Sequence, residues 1–317
     1  MEIHDDVLGL IGDTPLVRLS RFHPPGNLVA KVEYTNPGGS VKERIAVSMI
    51  DAAERDGRLA PDGTIIEPTS GNTGVGLALV GAVRGYRVIC TVPDKVSKEK
   101  IALLQAYGVE VIVTPTELLP DHPESYYGLA RRLATEIPGA FHPDQYSNPH
   151  NPIAHYRGTG PEIWRQTEGT IDAMVAGVGT GGTISGAARF LKEQNPKIEV
   201  VGADPQGSIF TAPSENDVHQ YLVEGVGEDF IPETLDLGLI DRFIMIDDAT
   251  SFATTRRLAR KEGLLVGGSC GMAAAAGLRV AEEDLDRLVV VLLPDSGRGY
   301  LSKVFNDEWM TSHGFQI

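Results

Sequence analysis

The chain has 317 residues, 42% of them hydrophobic and 22% charged, which excludes a disordered or fibrous protein and predicts one large or two closely joined domains. Its 43 acidic residues against 28 basic ones give a formal net charge of −15, which argues against nucleic acid or an anionic membrane as the main partner. An acidic N-terminus and the lack of an apolar run of about 18 residues argue against a signal peptide and a membrane span, so we expect a cytoplasmic protein.

Apolar runs of strand length alternate with segments of helical periodicity, which is typical of parallel sheets joined by crossover helices. The predicted strands lie near residues 28–33, 64–67, 86–92, 109–113, 171–177, 197–203 and 287–293. The predicted helices run from Val41 to a stop at Gly57 and over residues 73–84, 97–107, 123–136, 153–166, 183–193, 250–262 and 271–284. Residues 114–126 are predicted to form a loop. The pattern predicts an α/β fold.

Lys42 is the first candidate functional residue in chain order. It lies in the segment 36–44, at a strand-to-helix turn where amide donors and a helix dipole would surround its amine. Such a lysine can form a Schiff base. A solvated surface lysine is the better explanation of this segment when it is taken alone, because most lysines are exposed. The other turns must therefore decide between the two interpretations of Lys42.

A second polar turn, residues 67–74, again lies between a predicted strand and a predicted helix. Its small hydroxyls and bare amides suit a carboxylate or a phosphate at a helix N-terminus. A helix cap would explain one such residue, since Thr, Ser and Asn are favoured caps. Four consecutive polar or glycine positions favour a ligand.

Residues 177–183, Gly-Val-Gly-Thr-Gly-Gly-Thr, form a third turn between a strand and a helix. The exposed backbone amides of such a turn predict a phosphate site, and glycine is needed because side chains would keep the phosphate away. The spacing of Gly177, Gly179 and Gly182 also fits a dinucleotide fingerprint, with Asp204 at the place of a ribose-binding acid. An NAD-dependent oxidoreductase is therefore an alternative on this segment.

Ser269 lies in a fourth turn, residues 267–271, and is either a helix cap or a partner for a ring nitrogen. Its neighbour Cys270 is predicted to be a small buried residue rather than a nucleophile. Cys90 is the only other cysteine, and the eight histidines show no ligand spacing, so the sequence predicts no metal site.

The four turns together indicate one kind of enzyme. A Schiff-base lysine, a carboxylate-binding loop, a phosphate cup and a hydroxyl for a heteroaromatic nitrogen are what a pyridoxal phosphate enzyme acting on an amino acid requires. The sequence also resembles the catalytic core of the cysteine synthase/cystathionine β-synthase family of pyridoxal phosphate enzymes. The segments shared with cysteine synthases are 40–42, 69–73 and 179–183, and those similar to the cystathionine β-synthase branch are 204–208, 223–232 and 293–303.

The resemblance implies a role for each candidate residue. Lys42 is expected to hold pyridoxal 5′-phosphate covalently and to act as the catalytic base. Further cofactor contacts are expected from Asn72, Gly179, Thr180, Gly181, Gly182, Thr183 and Ser269. Substrate contacts are expected from Thr69, Ser70, Gly71, Thr73, Gln145, Tyr146, Gly225 and Gly227, the last two within the long irregular stretch 205–236.

The resemblance also implies the architecture. It is an α/β fold of tryptophan synthase β-like type (fold type II), with two interleaved domains, each a mostly parallel twisted sheet flanked by helices. Residues 46–147 are expected to form a smaller mobile domain with the carboxylate loop, and residues 1–45 plus 148–317 a larger one with the phosphate cup. A homodimer without heme is expected.

The activity implied is β-replacement, in which L-serine or an O-acylserine condenses with L-homocysteine through an aminoacrylate intermediate to give L-cystathionine. The expected partners are therefore small amino-acid and thiol substrates. A cysteine synthase, which joins O-acetylserine and sulfide, is the first alternative. An NAD-dependent oxidoreductase and a non-catalytic scaffold that binds the cofactor are alternatives of other classes.

Overall fold

The computed structural model describes residues 3–24, 26–69, 71–94, 96–115, 117–118 and 122–317. The chain divides into two compact units. Unit 1 comprises Met1–Ile11 and Asn36–Asn151, and unit 2 comprises Gly12–Thr35 and Pro152–Ile317. Within the described parts, no helix is long and apolar enough to cross a membrane.

The strands in the described residues, in chain order, are β1 (Leu16–Arg18), β2 (Leu28–Val32), β3 (Thr64–Pro68), β4 (Arg87–Pro93), β5 (Glu110–Thr114), β6 (Ala140–Phe141), β7 (Ala173–Gly177), β8 (Glu199–Pro205), β9 (Arg242–Ile246) and β10 (Val289–Leu293). The α-helices are α1 (Lys42–Arg55), α2 (Asn72–Arg84), α3 (Lys98–Ala106), α4 (Tyr126–Glu136), α5 (His150–Ala154), α6 (Gly160–Gln166), α7 (Gly182–Gln194), α8 (Asp248–Glu262), α9 (Gly268–Glu283) and α10 (Asp307–Ser312). A π-helical turn, His155–Thr159, joins α5 to α6.

Unit 1 is built on a parallel four-stranded sheet in the order β5-β4-β3-β6. Successive residues of a strand point to opposite faces of the sheet, and both faces are covered. Ile65 and Cys90 pack in a cluster with residues of α1 and α2, whereas Ile66 and Ile89 pack on the α4 side, against Ala130. Burial on both faces explains why consecutive residues are apolar in β3, at 65–66, and in β4, at 88–90.

Unit 2 is built on a six-stranded sheet in the order β1-β2-β10-β7-β8-β9. Its strands pair in parallel except for β1, which is antiparallel to β2. Ala30 packs in a cluster with residues of α8 and α9, whereas its neighbour Val29 packs in a second cluster with residues of α6 and α7. Helices thus cover both faces of this sheet as well, and the predicted α/β class with mostly parallel sheets is confirmed.

Helix α1 belongs to unit 1 because it packs very closely on α2. A β-carbon added to Gly76 of α2 would lie 3.0 Å from the carbonyl oxygen of Lys42 and 3.0 Å from the β-carbon of Ala46. The second segment of unit 1 begins at Asn36, so Lys42 lies within this unit.

The predicted elements are found within a few residues of their expected positions. Strands β1, β6 and β9 and helix α10 were not predicted. All three of those strands lie at the edges of their sheets, where fewer neighbours bury them. The stretch 205–236 begins with Pro205, the last residue of β8, and is otherwise irregular apart from a single 3-10 turn at Glu215–Asp217.

Candidate active site

Lys42 is the first residue of α1, and the turn before it is held by side-chain hydrogen bonds. The Ser40 hydroxyl oxygen accepts the backbone N–H of Lys42 at 3.1 Å, and the same hydroxyl donates to the Glu43 carboxylate at 2.8 Å. Asn36 donates its amide N–H to the carbonyl oxygen of Ser40 at 2.8 Å. Ser40 and Glu43 are fully buried, and Lys42 is partly buried. The amine of Lys42 therefore extends from a fixed helix start.

The turn between β3 and α2 carries the expected carboxylate loop. Thr69 and Thr73 are buried, and Asn72 is the partly buried first residue of α2. Ser70 lies outside the described residues. A β-carbon at Gly71 would meet no atom within 4 Å, so the space beside this backbone is open. A small anion could approach the helix N-terminus here.

Gln145 and Tyr146 follow β6 in the same unit, and the structure brings Gln145 to Thr73. The Thr73 hydroxyl donates a 2.7 Å hydrogen bond to the carboxamide oxygen of Gln145. Gln145 is buried and Tyr146 is partly buried. Because the Gln145 oxygen is already an acceptor for Thr73, its amide N–H groups are the atoms suited to a negatively charged ligand.

The Gln145 backbone is held by Glu67, the penultimate residue of β3. One oxygen of this carboxyl accepts the Asp144 N–H at 2.9 Å, and the other accepts the Gln145 N–H at 3.1 Å. Burial raises the pKa of Glu67 to about 8, although both N–H groups favour the charged form. We predicted no role for Glu67, although a carboxyl that follows Ile65 and Ile66 on an apolar strand was a usable signal.

The glycine turn of unit 2 joins β7 to α7 and fits an anion. A β-carbon at Gly179 would lie 2.8 Å from the carbonyl oxygen of Gly225, and Gly181 adopts a φ of +82°. Bare backbone is therefore required at both positions. Helix α7 begins at Gly182, and the N–H groups of a first helical turn have no intrahelical partners. Together with the helix dipole they suit a phosphate.

Two further segments support this turn. Thr234 donates its hydroxyl to the carbonyl oxygen of Thr180 at 2.5 Å, and the Gly227 N–H binds the Val178 carbonyl oxygen at 2.6 Å. Gly225 and Gly227, which are expected to contact the substrate, thus lie directly against this glycine turn, which we call the phosphate turn from here on.

Thr183, the second residue of α7, is in contact with a buried histidine. Its hydroxyl lies 3.1 Å from Nε2 of His155, and Nδ1 of His155 lies 2.9 Å from the Thr159 hydroxyl. His155 belongs to the π-helical turn, a feature frequent at functional sites. We did not predict this contact, because no pattern in the sequence relates His155 to the glycine turn.

Ser269 is buried in the first turn of α9. This position agrees with both expected roles, a partner for a ring nitrogen and a helix cap. No side-chain cap bond is found at this helix start. Cys270 is fully buried, and burial together with the Asp295 charge raises the pKa of its thiol well above the usual value. The prediction that Cys270 is a small buried residue is confirmed.

Asp204 does not have the surroundings of a ribose-binding acid. It lies within β8, is fully buried, and accepts the Thr211 hydroxyl at 2.7 Å. A carboxylate that binds a ribose hydroxyl must be reachable by the ligand. The burial of Asp204 therefore argues against the interpretation of the glycine turn as part of a dinucleotide site.

Comparison with known proteins decides the family. The pattern that defines the pyridoxal-phosphate dependent enzymes matches residues 7–295. The chain belongs to this family. Membership confirms the expected fold type II and the expected pyridoxal 5′-phosphate cofactor, and the glycine turn with its bare backbone beside α7 fits the phosphate of that cofactor.

Relatives within the pyridoxal-phosphate dependent enzymes are similar along nearly the whole chain. The chain is 50% identical to the cystathionine β-synthase of Saccharomyces cerevisiae over 96% of its length. It is 50% identical to that of Rattus norvegicus and 49% identical to that of Apis mellifera, in both cases over 99% of its length. It spans 64%, 57% and 64%, respectively, of the length of these relatives.

Proposed function

We propose that this chain catalyses the β-replacement that gives cystathionine synthases their name, in which L-serine and L-homocysteine form L-cystathionine and water. The observation that carries the proposal is the identity of about 50% with cystathionine β-synthases of three organisms over 96% or more of the chain. The carboxylate loop and the phosphate turn described above agree with it.

The proposal gives each cofactor contact to a residue with suitable chemistry. Bound pyridoxal phosphate supplies an electron sink that stabilises negative charge on the α-carbon of an amino acid. Lys42 provides the amine that attaches the cofactor, and the backbone N–H groups of residues 179–183 bind its phosphate. Asn72 binds the ring hydroxyl and Ser269 the ring nitrogen. A serine hydroxyl carries no charge, so it leaves that nitrogen largely unprotonated and favours elimination.

The substrate is held and deprotonated by residues of unit 1. Thr69, Ser70, Thr73 and Gln145 bind the carboxylate of serine, which fixes its α-carbon. Lys42, freed from the cofactor, removes the α-proton and then protonates the hydroxyl group that leaves as water. The homocysteine thiol forms the new carbon–sulfur bond at the β-carbon as its proton passes to Lys42, which returns a proton to the α-carbon. Residues 225–227 provide the contact to this second substrate.

The cofactor assignment is tested by absorption spectroscopy. The purified protein should show a band near the edge of the visible range, and Lys42→Ala should lose it. A colourless wild-type protein that binds NAD would disprove the assignment.

The substrate assignment is tested by a paired assay on the same preparation. Turnover of L-serine with L-homocysteine is compared with turnover of O-acetylserine with sulfide. Reaction of only the second pair would identify a cysteine synthase instead. Cofactor colour without any reaction on addition of serine would identify a non-catalytic scaffold.

Three further expectations belong to the proposal: a homodimer, a cytoplasmic location, and a mobile domain at residues 46–147. Equilibrium sedimentation measures the first, and fractionation of the source cells the second. Hydrogen exchange of the 69–73 loop with and without serine tests the third, since closure over the substrate would exclude water and slow exchange there.

A further inference from the structure

Glu67 connects two segments of unit 1 that lie far apart in the sequence. It is 1% exposed and is followed, after one residue, by the carboxylate loop that starts at Thr69. Its two carboxyl oxygens accept one backbone N–H each, from Asp144 and from Gln145. A single side chain at the end of β3 thus fixes the backbone that carries Gln145.

The backbone at Gln145 is fixed from the opposite side as well. Its carbonyl oxygen accepts the side-chain N–H of Asn151 at 2.8 Å, and the preceding residue, Asp144, adopts a φ of +51°. A non-glycine residue in this left-handed region is strained and persists only where its surroundings hold it. The hydrogen bond from Asp144 to Glu67 is one such restraint.

Because the backbone at Gln145 is fixed, the position of the Gln145 side chain is restricted as well. Its carboxamide oxygen accepts the Thr73 hydroxyl, which leaves the amide N–H groups as the donors for a ligand. Thr73 lies in the first turn of α2, six residues after Glu67. Glu67 therefore directly precedes one of the two segments that the proposed function assigns to the serine carboxylate, and its carboxyl group hydrogen-bonds the backbone of the other.

We propose that Glu67 is a positioning residue of the substrate-carboxylate site, which acts by holding the Gln145 backbone so that its amide faces the carboxylate. The inference rests on the proposed function, because it assumes that Thr73 and Gln145 bind that carboxylate. A carboxyl group suits the task since it accepts two N–H groups and, when ionised, donates none.

Glu67→Gln is the informative substitution, because the new amide group turns a donor toward one of the two backbone N–H groups. L-serine and L-serinamide, which lacks the carboxylate, are titrated against the holoenzyme at pH 9, above the pKa of about 8 at which Glu67 ionises, and binding is followed by the change in the cofactor absorption band. We expect Glu67→Gln to weaken serine binding about tenfold, as the loss of one hydrogen-bonded contact to a charged group would. Serinamide binding should stay unchanged.

A double-mutant cycle tests whether Glu67 acts through Gln145. If it does, Glu67→Gln combined with Gln145→Ala should bind serine no more weakly than Gln145→Ala alone. Additive losses, or equal losses for serine and serinamide, would overturn the inference and indicate a general structural role.

Glu262→Gln is a control for the general effect of neutralising a carboxylate that binds backbone. One oxygen of the Glu262 carboxylate accepts two consecutive backbone N–H groups, from Arg21 at 2.7 Å and from Phe22 at 2.5 Å, and the residue lies in unit 2. Its serine affinity should equal that of the wild type. If Glu67→Gln does not fold, Glu67→Asp is tested instead. We expect a loss of serine affinity smaller than that of Glu67→Gln, and an unchanged affinity would contradict the inference.

The wild-type titration separates this inference from the proposed function. Equal affinities for serine and serinamide would show that the wild type has no carboxylate site, so that the substrate assignment fails and the inference with it. A wild type that prefers serine, together with a Glu67→Gln variant that keeps the full preference, would overturn the inference alone.

Discussion

The hydroxyl of Thr73 donates a 2.7 Å hydrogen bond to the carboxamide oxygen of Gln145, although 72 residues separate the two in the chain. The bond joins the start of α2 to the segment after β6 and orients the polar groups of both. Thr73 is 3% exposed and Gln145 is 7% exposed, so water competes little for either group.

The first prediction concerns this bond. Thr73→Val keeps the shape of the side chain but removes the donor, so the Gln145 carboxamide loses its orientation. The KM for serine should rise about tenfold, the effect of one hydrogen bond, with the cofactor absorption unchanged. Thr91→Val is the control, since the Thr91 hydroxyl donates a 2.6 Å bond to the Tyr126 carbonyl oxygen in the same unit. An equal rise in KM for both variants would contradict the prediction.

The second prediction concerns the phosphate turn. Gly181→Ala combines a φ of +82° with a β-carbon placed 2.5 Å from that of Leu235, so both strain and a clash result. The Kd for pyridoxal phosphate, measured by titration of the cofactor-free protein, should rise more than tenfold. Gly57→Ala has a φ of +72° but no atom within 4 Å, so it should cost about 1 kcal/mol of stability and leave this Kd unchanged. Unchanged cofactor affinity in Gly181→Ala would refute the assignment of the turn.

The third prediction concerns the buried ion pair of unit 2. The Lys31 amine is fully buried and donates to Glu162 at 2.7 Å and to Gln166 at 2.9 Å. Lys31→Met removes one partner of this buried ion pair with Glu162 and should lower the free energy of unfolding by about 3–5 kcal/mol in urea titrations.

Two variants control for the ion pair. Lys31→Met with Glu162→Leu should recover part of the loss, because both charges of the pair are then removed together. Lys192→Met removes a partly exposed pair with Asp241 and should cost less than about 1 kcal/mol. Equal losses for Lys31→Met and Lys192→Met would contradict the argument.

The fourth prediction concerns pH and Glu67. Its pKa in the folded protein is about 8, against an ordinary value of 4.5, so the folded chain keeps a proton that the unfolded chain releases between these values. Stability contributed by this group is therefore present at low pH and is lost as the pH rises toward 8, by on the order of 5 kcal/mol at most.

The groups that face Glu67 do not reverse the expected direction, which is a loss of stability as the pH rises. Burial lowers the pKa of His142, whose Nε2 lies 3.4 Å from the carboxylate, and burial raises the pKa of Cys90 to about 12, so both are mostly neutral in the upper part of this range. Asp144 adds a negative charge that raises the pKa of Glu67 further. Urea unfolding of wild type and Glu67→Gln at pH 5.5 and pH 8 should show the wild type losing stability relative to the variant. A difference independent of pH would contradict it.

The fifth prediction concerns the cysteines. Cys90 and Cys270 are both fully buried, and burial raises the pKa of both thiols. The native protein should not react with an aromatic disulfide reagent on the timescale of minutes, whereas the denatured chain should release two thiols. Rapid reaction of Cys270 in the native state would contradict its assignment as a structural residue.

Most elements predicted from the sequence are buried on both faces or along one helical stripe, because burial leaves a periodic apolar pattern. Strand β5 is an exception, a partly exposed edge strand that was predicted from its run of Val and Ile residues. The strands that were missed, β1, β6 and β9, are partly exposed edge strands of two to five residues. Edge position is decided by which strands pair, and pairing between distant segments leaves no local pattern.

The sequence by itself determined the kinds of chemistry: an amine, a hydroxyl-rich loop and a glycine turn, each at a strand-to-helix junction where amides and a helix dipole favour anions. Only the tertiary structure decided which of these groups meet. It brought the Thr73 hydroxyl to the Gln145 carboxamide oxygen, fixed the Gln145 backbone on the buried Glu67, and buried Asp204 inside β8. The reason is physical: burial and hydrogen-bond partners depend on packing between segments distant in the chain, whereas a turn and its dipole depend on neighbouring residues alone.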